Sequence, residues 1–107
     1  VHLASGKAAS ILGRYFKDDN LIRIARDQLY WTFGKNPFGQ SLVYGAGSNF
    51  AQQYGALNGE MAGSIPVGIE TRGNEDIPFW PMENNATYKE VWTTSARCWL
   101  QLAADVY

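Results

Sequence analysis

Residues 14–37, RYFKDDNLIRIARDQLYWTFGKNP, contain the signals that decide the fold of this chain. Asp18-Asp19-Asn20 supplies a turn and a helix N-cap, and its carboxylates lie near the positive end of a helix predicted from about Asn20 to Phe33. Gly34 occupies the position of a left-handed C-cap, and Pro37 prevents the helix from continuing. The stretch therefore predicts one helix with both of its ends marked.

An apolar stripe predicts another helix before this turn, over about residues 1–17. Its members are Val1, Ala4, Ala8, Ile11, Leu12, Tyr15 and Phe16. Gly6 and Gly13 each cost about 1 kcal/mol in a helix interior, so they favour a close approach of another backbone. In the helix that follows, the predicted buried residues are Leu21, Ile22, Ala25, Leu29, Thr32 and Phe33. Two amphipathic helices joined by a short turn predict an αα-hairpin.

The final predicted helix covers about residues 87–106, with a narrow apolar stripe of Trp92, Ala96, Trp99, Ala103 and Val106. Between the hairpin and this helix, about residues 35–85 show no helical period and contain most of the glycines. Loops have a median length of about 4–6 residues, so a loop this long indicates a functional loop or one that lies on a larger body. Short extended pieces are predicted at Ser41 to Tyr44 and Ile65 to Ile69. The sequence predicts an all-α fold with few helix faces to bury, and we expect it to be the C-terminal piece of a longer protein.

The composition argues against several classes of function. A net charge of −1 without a run of Lys or Arg gives no electrostatic footprint for nucleic acid or an anionic membrane. No apolar run approaches the roughly 20 residues of a membrane span. Cys98 is the only cysteine and His2 the only histidine, so neither an internal disulfide nor a His/Cys metal site is expected. Gly45-Ala46-Gly47 lacks the strand and the lysine of a phosphate loop, and no cofactor is predicted.

Residues 79–92, FWPMENNATYKEVW, combine acids with aromatic rings ahead of the final helix. Between Phe38 and Trp92 the acids are Glu60, Glu70, Glu75, Asp76, Glu83 and Glu90, against the bases Arg72 and Lys89. Sugars place C–H faces on aromatic rings and hydroxyls against carboxylates, so this mixture suits a neutral, hydroxyl-rich ligand. Cleavage of a glycosidic bond needs one carboxylic acid to protonate the leaving oxygen and a second carboxylate on the opposite side.

Glu90 is the candidate functional carboxylate of this stretch, because it opens the predicted last helix. Trp80, Tyr88 and Glu83 are near enough in sequence to favour its protonated form, which a carboxyl group that cleaves a glycosidic bond requires. A helix N-terminus favours the ionised carboxylate, so burial against the rings or a neighbouring anion has to keep the proton in place. The competing interpretation is a solvated glutamate in the first turn that stabilises the helix dipole. On an ideal helix Glu90 lies about 160° around the axis from Trp92.

Three segments resemble family nine glycoside hydrolases, cellulase-type enzymes whose (α/α)6 barrel consists of six helical hairpins. Asp27 to Pro37, with the downstream Ser41, Val43, Gly45 and Gly47, is similar to the helix and Gly-x-Asn-Pro run that precede their substrate cleft. Gly63 to Gly68 resembles their small-residue segment, and Tyr88 to Val91 is similar to the segment with their proton-donating glutamate. This chain differs in having no His or Arg between Ser48 and Gly59, Lys89 where Asn is usual, and Trp92 where a small residue is usual.

The resemblance implies that residues 1–107 are the C-terminal part of a catalytic six-hairpin domain. It implies hydrolysis of β-linked glycans with inversion, with Glu90 as the general acid. The aspartate pair that activates water is then expected in the missing N-terminal part of the same domain, and the isolated chain is expected to be inactive. A secreted or periplasmic location is also implied.

The predicted substrate-binding residues are Trp80, Phe79, Tyr44, Asp76, Glu83 and Tyr88, with Gln40 beside Tyr44. The expected ligand is an oligo- or polysaccharide. Each residue has a structural alternative, because loop aromatics often pack on the core and loop acids are often solvated. Two other hypotheses stay open: a non-catalytic carbohydrate-binding piece, and a helical module whose exposed stripes bind a partner or a second copy of the chain.

Overall fold

A computed structural model of the chain describes residues 2–52, 61–67, 70–71, 78–79 and 90–107. Three helices dominate these residues: α1 is His2–Phe16, α2 is Asp19–Thr32 and α3 is Thr93–Val106. Two-residue strands, β1 at Glu70–Thr71 and β2 at Pro78–Phe79, pair in antiparallel fashion. The predicted all-α character is confirmed for the described part of the chain.

The predicted αα-hairpin is confirmed, and its turn consists of Lys17 and Asp18. Lys17 has a positive φ of 55°, and the Asp18 N–H donates to Gly13 O at 2.8 Å, which ends α1. The Asp18 carboxylate accepts hydrogen bonds from the backbone N–H groups of Asn20 and Leu21 at 2.8 and 3.3 Å. Asp18 is therefore the N-cap of α2, and the cap satisfies two amides that have no partner within the helix.

The core lies between the three helices, which pack pairwise on one another. Its buried residues are Ala25, Leu29, Leu102 and Val106, with Leu3, Ala9, Trp99 and Ala103 packed against them. A polar link crosses the same region, because the Trp99 indole N–H donates to Thr32 Oγ1 at 3.1 Å and that hydroxyl donates to Leu29 O at 2.6 Å. The buried Thr32 hydroxyl thus has partners on both sides, and α3 is tied to the end of α2.

The buried face of α1 is not the predicted one. Its buried residues are Gly6, Ser10 and Gly13, whereas Ile11, Leu12, Tyr15 and Phe16 are 48%, 46%, 79% and 65% exposed. A Cβ at Gly6 would lie 2.8 Å from Leu102 Cδ2, and a Cβ at Gly13 would lie 3.0 Å from Ile22 N. The small residues face inward because they allow this close approach. The expected close backbone is confirmed at Gly13, whereas the nearest atoms at Gly6 belong to the side chains of Leu102 and Gln28. The apolar stripe consequently faces outward.

The last helix begins later than predicted. Residues 90–92 are not helical, and α3 begins at Thr93 rather than near residue 87; residues 87–89 lie outside the described ranges. Trp92 has an extended backbone with φ −116° and ψ 139°, and Val91 pairs with Pro66 in an isolated antiparallel bridge. This long-range pairing satisfies backbone groups that a first helical turn would otherwise satisfy. Trp92 therefore leaves the α3 stripe, in which Leu102 and Val106 are the buried residues.

The segment after α2 contains no helix in its described residues 35–52 and 61–67. Isolated backbone bridges join Ser41 to Phe50 and Pro66 to Val91. Ser41 and Pro66 lie in the two pieces that were predicted to be extended. Among the helices of the described ranges, none is long and apolar enough to cross a membrane.

Candidate functional site

The Gly34–Pro37 run fixes the direction in which the chain leaves the hairpin. Gly34 has a φ of 112°, a conformation that favours glycine, and it lies directly after the C-cap of α2. Asn36 Nδ2 donates to the carbonyl oxygens of Trp31 and Gln40, both at 2.8 Å. Asn36 Oδ1 accepts from the backbone N–H groups of Phe38 and Gln40 at 3.1 and 3.4 Å. The run therefore has a structural function that needs no ligand.

The loop that follows is held against the end of α2. The Leu42 N–H donates to Thr32 O at 2.8 Å, and Ser41, Leu42 and Val43 are buried. The Ser41 N–H donates to Asn49 O at 2.9 Å, so the loop closes on itself. Beyond this buried base the ring of Tyr44 meets the ring of Phe50 edge to face, with centroids 4.9 Å apart.

Residues 63–67 connect Tyr44 to Glu90. Gly63 N–H donates to Tyr44 O at 2.9 Å, and Tyr44 N–H donates to Ser64 O at 3.1 Å. Three residues further on, Val67 N–H donates to Glu90 O at 2.8 Å. Three residues of extended chain span at most about 10 Å. The segment therefore brings the backbones of two predicted site residues to one side of the molecule.

The Glu90 side chain is half-buried and contacts an indole ring. Its Oε2 accepts a hydrogen bond from Trp92 Nε1 at 2.7 Å. Side chains two residues apart on extended backbone point to the same face, so the predicted separation of 160° does not apply. Glu90 precedes the α3 N-cap by two residues and is not in the first turn of the helix.

The other predicted site residues divide into two groups. Phe79 lies in β2 with its backbone paired to that of Glu70, and Gln40 Nε2 donates to Asn49 Oδ1 at 3.2 Å. Four predicted substrate-binding residues lie outside the described ranges, so their roles stay predictions. These residues are Asp76, Trp80, Glu83 and Tyr88.

Trp92 is the residue of the site that sequence reasoning missed. The helical period assigned it to the α3 core, yet it is 52% exposed and hydrogen-bonded to Glu90. The available signal was the Glu90-Val91-Trp92 alternation, in which the outer two residues share one face of an extended chain, while Val91 on the other face is itself 40% exposed. That alternation covers only residues 90–92. Three residues are too few to indicate a strand when a long helical pattern follows directly.

The described residues contain no group of three or more His, Cys, Asp or Glu side chains that could hold a metal ion. His2 packs on Trp31, with ring centroids 4.5 Å apart. Burial lowers the pKa of His2 below its usual value, with a backbone hydrogen bond to Gln28 opposing the shift. The imidazole is therefore a neutral packing group near neutral pH.

Comparisons of this chain with models of protein families, with curated proteins and with solved structures find no match.

Proposed function

We propose that this chain is part of a glycoside hydrolase that cleaves β-linked glycans with inversion, and that Glu90 is its general acid. One observation carries the proposal: the half-buried Glu90 carboxylate lies against the half-exposed Trp92 indole. Glu90 is hydrogen-bonded to one end of the segment 63–67, and the other end of that segment is hydrogen-bonded to Tyr44. Carboxylates and aromatic rings in one site are the groups that sugar hydroxyls and sugar C–H faces require. The similarity to family nine glycoside hydrolases around Asn36, Gly63 and Glu90 supports the same function.

In this mechanism the Glu90 carboxyl gives its proton to the glycosidic oxygen as the bond from that oxygen to the anomeric carbon breaks. A water molecule attacks the anomeric carbon from the opposite face, and a second carboxylate takes the proton that the water loses. In inverting enzymes the two carboxyl groups are about 6.5–9.5 Å apart. The proposal assigns the second carboxylate to an aspartate in another part of the same domain.

The proposed architecture is a six-hairpin (α/α)6 barrel, with α1 and α2 as one hairpin and α3 as part of another. The outward-facing stripe of α1 supports it, because Ile11, Leu12, Tyr15 and Phe16 would pack against further helices of such a barrel. The same stripe favours the alternative of a helical interaction module without catalysis. The proposed location is secreted or periplasmic, and it rests only on the resemblance to family nine glycoside hydrolases.

Substitution of Glu90 by Gln in the complete domain tests the proposal. Hydrolysis of a soluble β-glucan should slow by about 10²- to 10⁴-fold, the usual contribution of a general acid. Hydrolysis of an aryl β-cellobioside with a nitrophenolate leaving group should slow much less, because that leaving group needs no proton. Rates on the two substrates are measured with the folded state of the variant checked by circular dichroism.

Asp19→Asn is the control, since Asp19 is an exposed acid in the first turn of α2. It should leave both rates unchanged. Equal losses on the two substrates, or a near-normal rate on β-glucan, would exclude Glu90 as the proton donor. A binding function without catalysis would then remain, in which oligosaccharides bind but no rate depends on Glu90.

A further inference from the structure

Trp92 has a ring orientation that its neighbours determine. The backbone from Glu90 to Trp92 is held by the Val67 N–H bond to Glu90 O at 2.8 Å and by the Pro66–Val91 bridge. The indole N–H then donates to Glu90 Oε2 at 2.7 Å. The backbone and one edge of the Trp92 ring are thus already held in place. The side chain therefore loses little further rotamer freedom when a ligand packs on it, which lowers the entropic cost of binding.

The same ring is accessible. Trp92 is 52% exposed although it directly precedes α3, whose apolar residues Leu102 and Val106 are buried. Its N–H edge is occupied by the carboxylate, so the accessible part of the side chain is mainly apolar. An accessible apolar ring surface with a polar group at its edge fits the C–H face of a pyranose, whose hydroxyls project at the rim.

Glu90 retains capacity for such hydroxyls. A carboxyl group can form hydrogen bonds through both of its oxygens, and the indole N–H occupies one acceptor position on Oε2. A sugar that lies on the indole would therefore place its rim hydroxyls or its glycosidic oxygen beside the carboxylate.

We infer that Trp92 and Glu90 form one pyranose-binding unit, in which the indole is the stacking platform and Glu90 both orients the ring and contacts the sugar oxygens. This inference deepens the proposed glycan-hydrolysing function and rests on it for the class of ligand. It adds a platform residue to the predicted set, at a position where the resembling enzymes carry a small side chain. The platform would therefore distinguish this chain from the enzymes that it resembles.

The experiment is an NMR titration of the ¹⁵N-labelled 107-residue chain with three β-linked tetrasaccharides: cellotetraose, xylotetraose and mannotetraose. The chain has four tryptophans, so its spectrum contains four indole N–H signals, and the signal absent in Trp92→Phe identifies Trp92. With at least one sugar this signal should shift and saturate. Trp92→Ala should raise the dissociation constant about tenfold or more, and Trp92→Phe less, because a ring remains.

Tyr15→Ala is the matched control, since Tyr15 is an exposed aromatic residue on α1, away from this site. It should not alter the dissociation constant. The inference is overturned if none of the three sugars moves the Trp92 signal, or if Trp92→Ala binds as tightly as the unchanged chain while its circular dichroism spectrum is native.

Glu90→Gln separates this inference from the proposed hydrolysis. The glutamine oxygen can still accept the indole N–H, so sugar binding should persist in this variant. A Trp92 signal that responds to sugar, together with a normal hydrolytic rate in Glu90→Gln, would support the platform and overturn the proton-donor role. If no sugar shifts the Trp92 signal and Glu90→Gln loses hydrolytic activity, the platform is overturned and the proton-donor role of Glu90 is supported.

Discussion

Asn36 uses both donors of its side-chain amide and accepts two hydrogen bonds on its oxygen. All four partners are backbone groups between Trp31 and Gln40, so the residue joins the end of α2 to the loop. Glutamine would reach too far, and aspartate would set a carboxylate against two carbonyl oxygens. This explains why asparagine stands in the Gly34–Pro37 run independently of any catalytic function.

Asn36→Ala should lower the free energy of unfolding by about 1–3 kcal/mol, because buried or half-buried backbone groups lose their partners. Asn36→Asp should cost at least as much at neutral pH. Urea denaturation followed by circular dichroism measures both. Asn20→Ala, at an exposed position of α2, should change stability by less than about 0.5 kcal/mol. Equal stability of the Asn36 and Asn20 variants would contradict the structural function of Asn36.

Asp105 is the second residue whose environment sets a measurable property. Its side chain is 12% exposed and accepts from Lys7 Nζ at 2.8 Å, Ser10 Oγ at 3.0 Å and Arg14 Nη2 at 2.9 Å. The hydrogen bond from Lys7 is the main cause that holds the pKa of Asp105 below its usual value. Burial opposes this shift, while the Ser10 hydroxyl and the charges of Arg14 and Lys7 add to it.

A carboxyl group with a lowered pKa in the folded state stabilises the fold only while it is ionised. Its contribution should therefore be complete above the unfolded-state pKa of about 3.9 and should be lost as the pH falls through the lower folded-state value. Asp105→Asn should destabilise the chain by about 1–3 kcal/mol at pH 6 and by less at pH 3. Denaturation at both pH values measures the difference.

Asp19→Asn removes an exposed carboxylate and serves as the control for this pH dependence. The Asp19→Asn variant should still lose most of the stability that the unchanged chain loses between pH 6 and pH 3. If Asp105→Asn loses as much stability between pH 6 and pH 3 as the unchanged chain, the ionised Asp105 does not stabilise the fold through Lys7 and Arg14.

At the scale of elements, α1 packs through its smallest residues. Gly13 faces the start of α2, where an added Cβ would lie 2.9 Å from Ile22 Cδ1 and 3.0 Å from Ile22 N. Intrinsic helix propensity favours alanine over glycine by about 1 kcal/mol. Overpacking costs about 1–3 kcal/mol, and the backbone atom cannot move aside as a side chain could. The cost of overpacking at Gly13 should therefore exceed the gain in helix propensity.

Gly13→Ala should lower the free energy of unfolding, by up to about 2 kcal/mol after the gain in helix propensity is subtracted. Ile22→Val should cost less in the Gly13→Ala background than alone, because it removes one of the close contacts; a double-mutant cycle measures this coupling. Ala8→Gly, on the exposed side of α1, should lose about 1 kcal/mol from propensity alone. An increase in stability for Gly13→Ala would show that the helices do not approach this closely.

At the scale of the whole molecule, an apolar face of α1 is exposed in the part of the chain that the structure describes. The α1 residues Ile11, Leu12, Tyr15 and Phe16 form it, on the side opposite to the buried glycines. A contiguous exposed apolar patch is typical of a surface that packs against another body. The six-hairpin proposal covers it with further helices of the same domain, so the chain alone should associate through it.

Ile11→Glu with Tyr15→Lys should convert an associating chain into a monomer, as measured by light scattering across a concentration series. The pair lies four residues apart with the acid first, an orientation that supports a helix by about 0.2–0.5 kcal/mol. The midpoint of thermal unfolding should therefore stay unchanged. Leu100→Glu, at an exposed site of α3, should not alter association. A monomeric unchanged chain at high concentration would contradict this prediction.

Prediction from sequence succeeded where the signal and its effect are local. The Asp18 cap, the turn before α2 and the stop at Gly34 involve groups within a few residues, so the hairpin follows from them. It failed for the orientation of α1, because the close approach depends on Leu102 and Ile22 in other elements. It failed for residues 90–92 because their backbone pairs with Pro66 and Val67, about twenty-five residues away along the chain.

The amino-acid sequence by itself determined that the helices of the described residues form and where the hairpin turns, since capping and chain stiffness act within one or two turns. Tertiary structure alone decided which face of α1 is buried and that Trp92 contacts Glu90. Both outcomes depend on how closely distant backbones can approach, and a one-dimensional pattern of apolar residues does not contain that information.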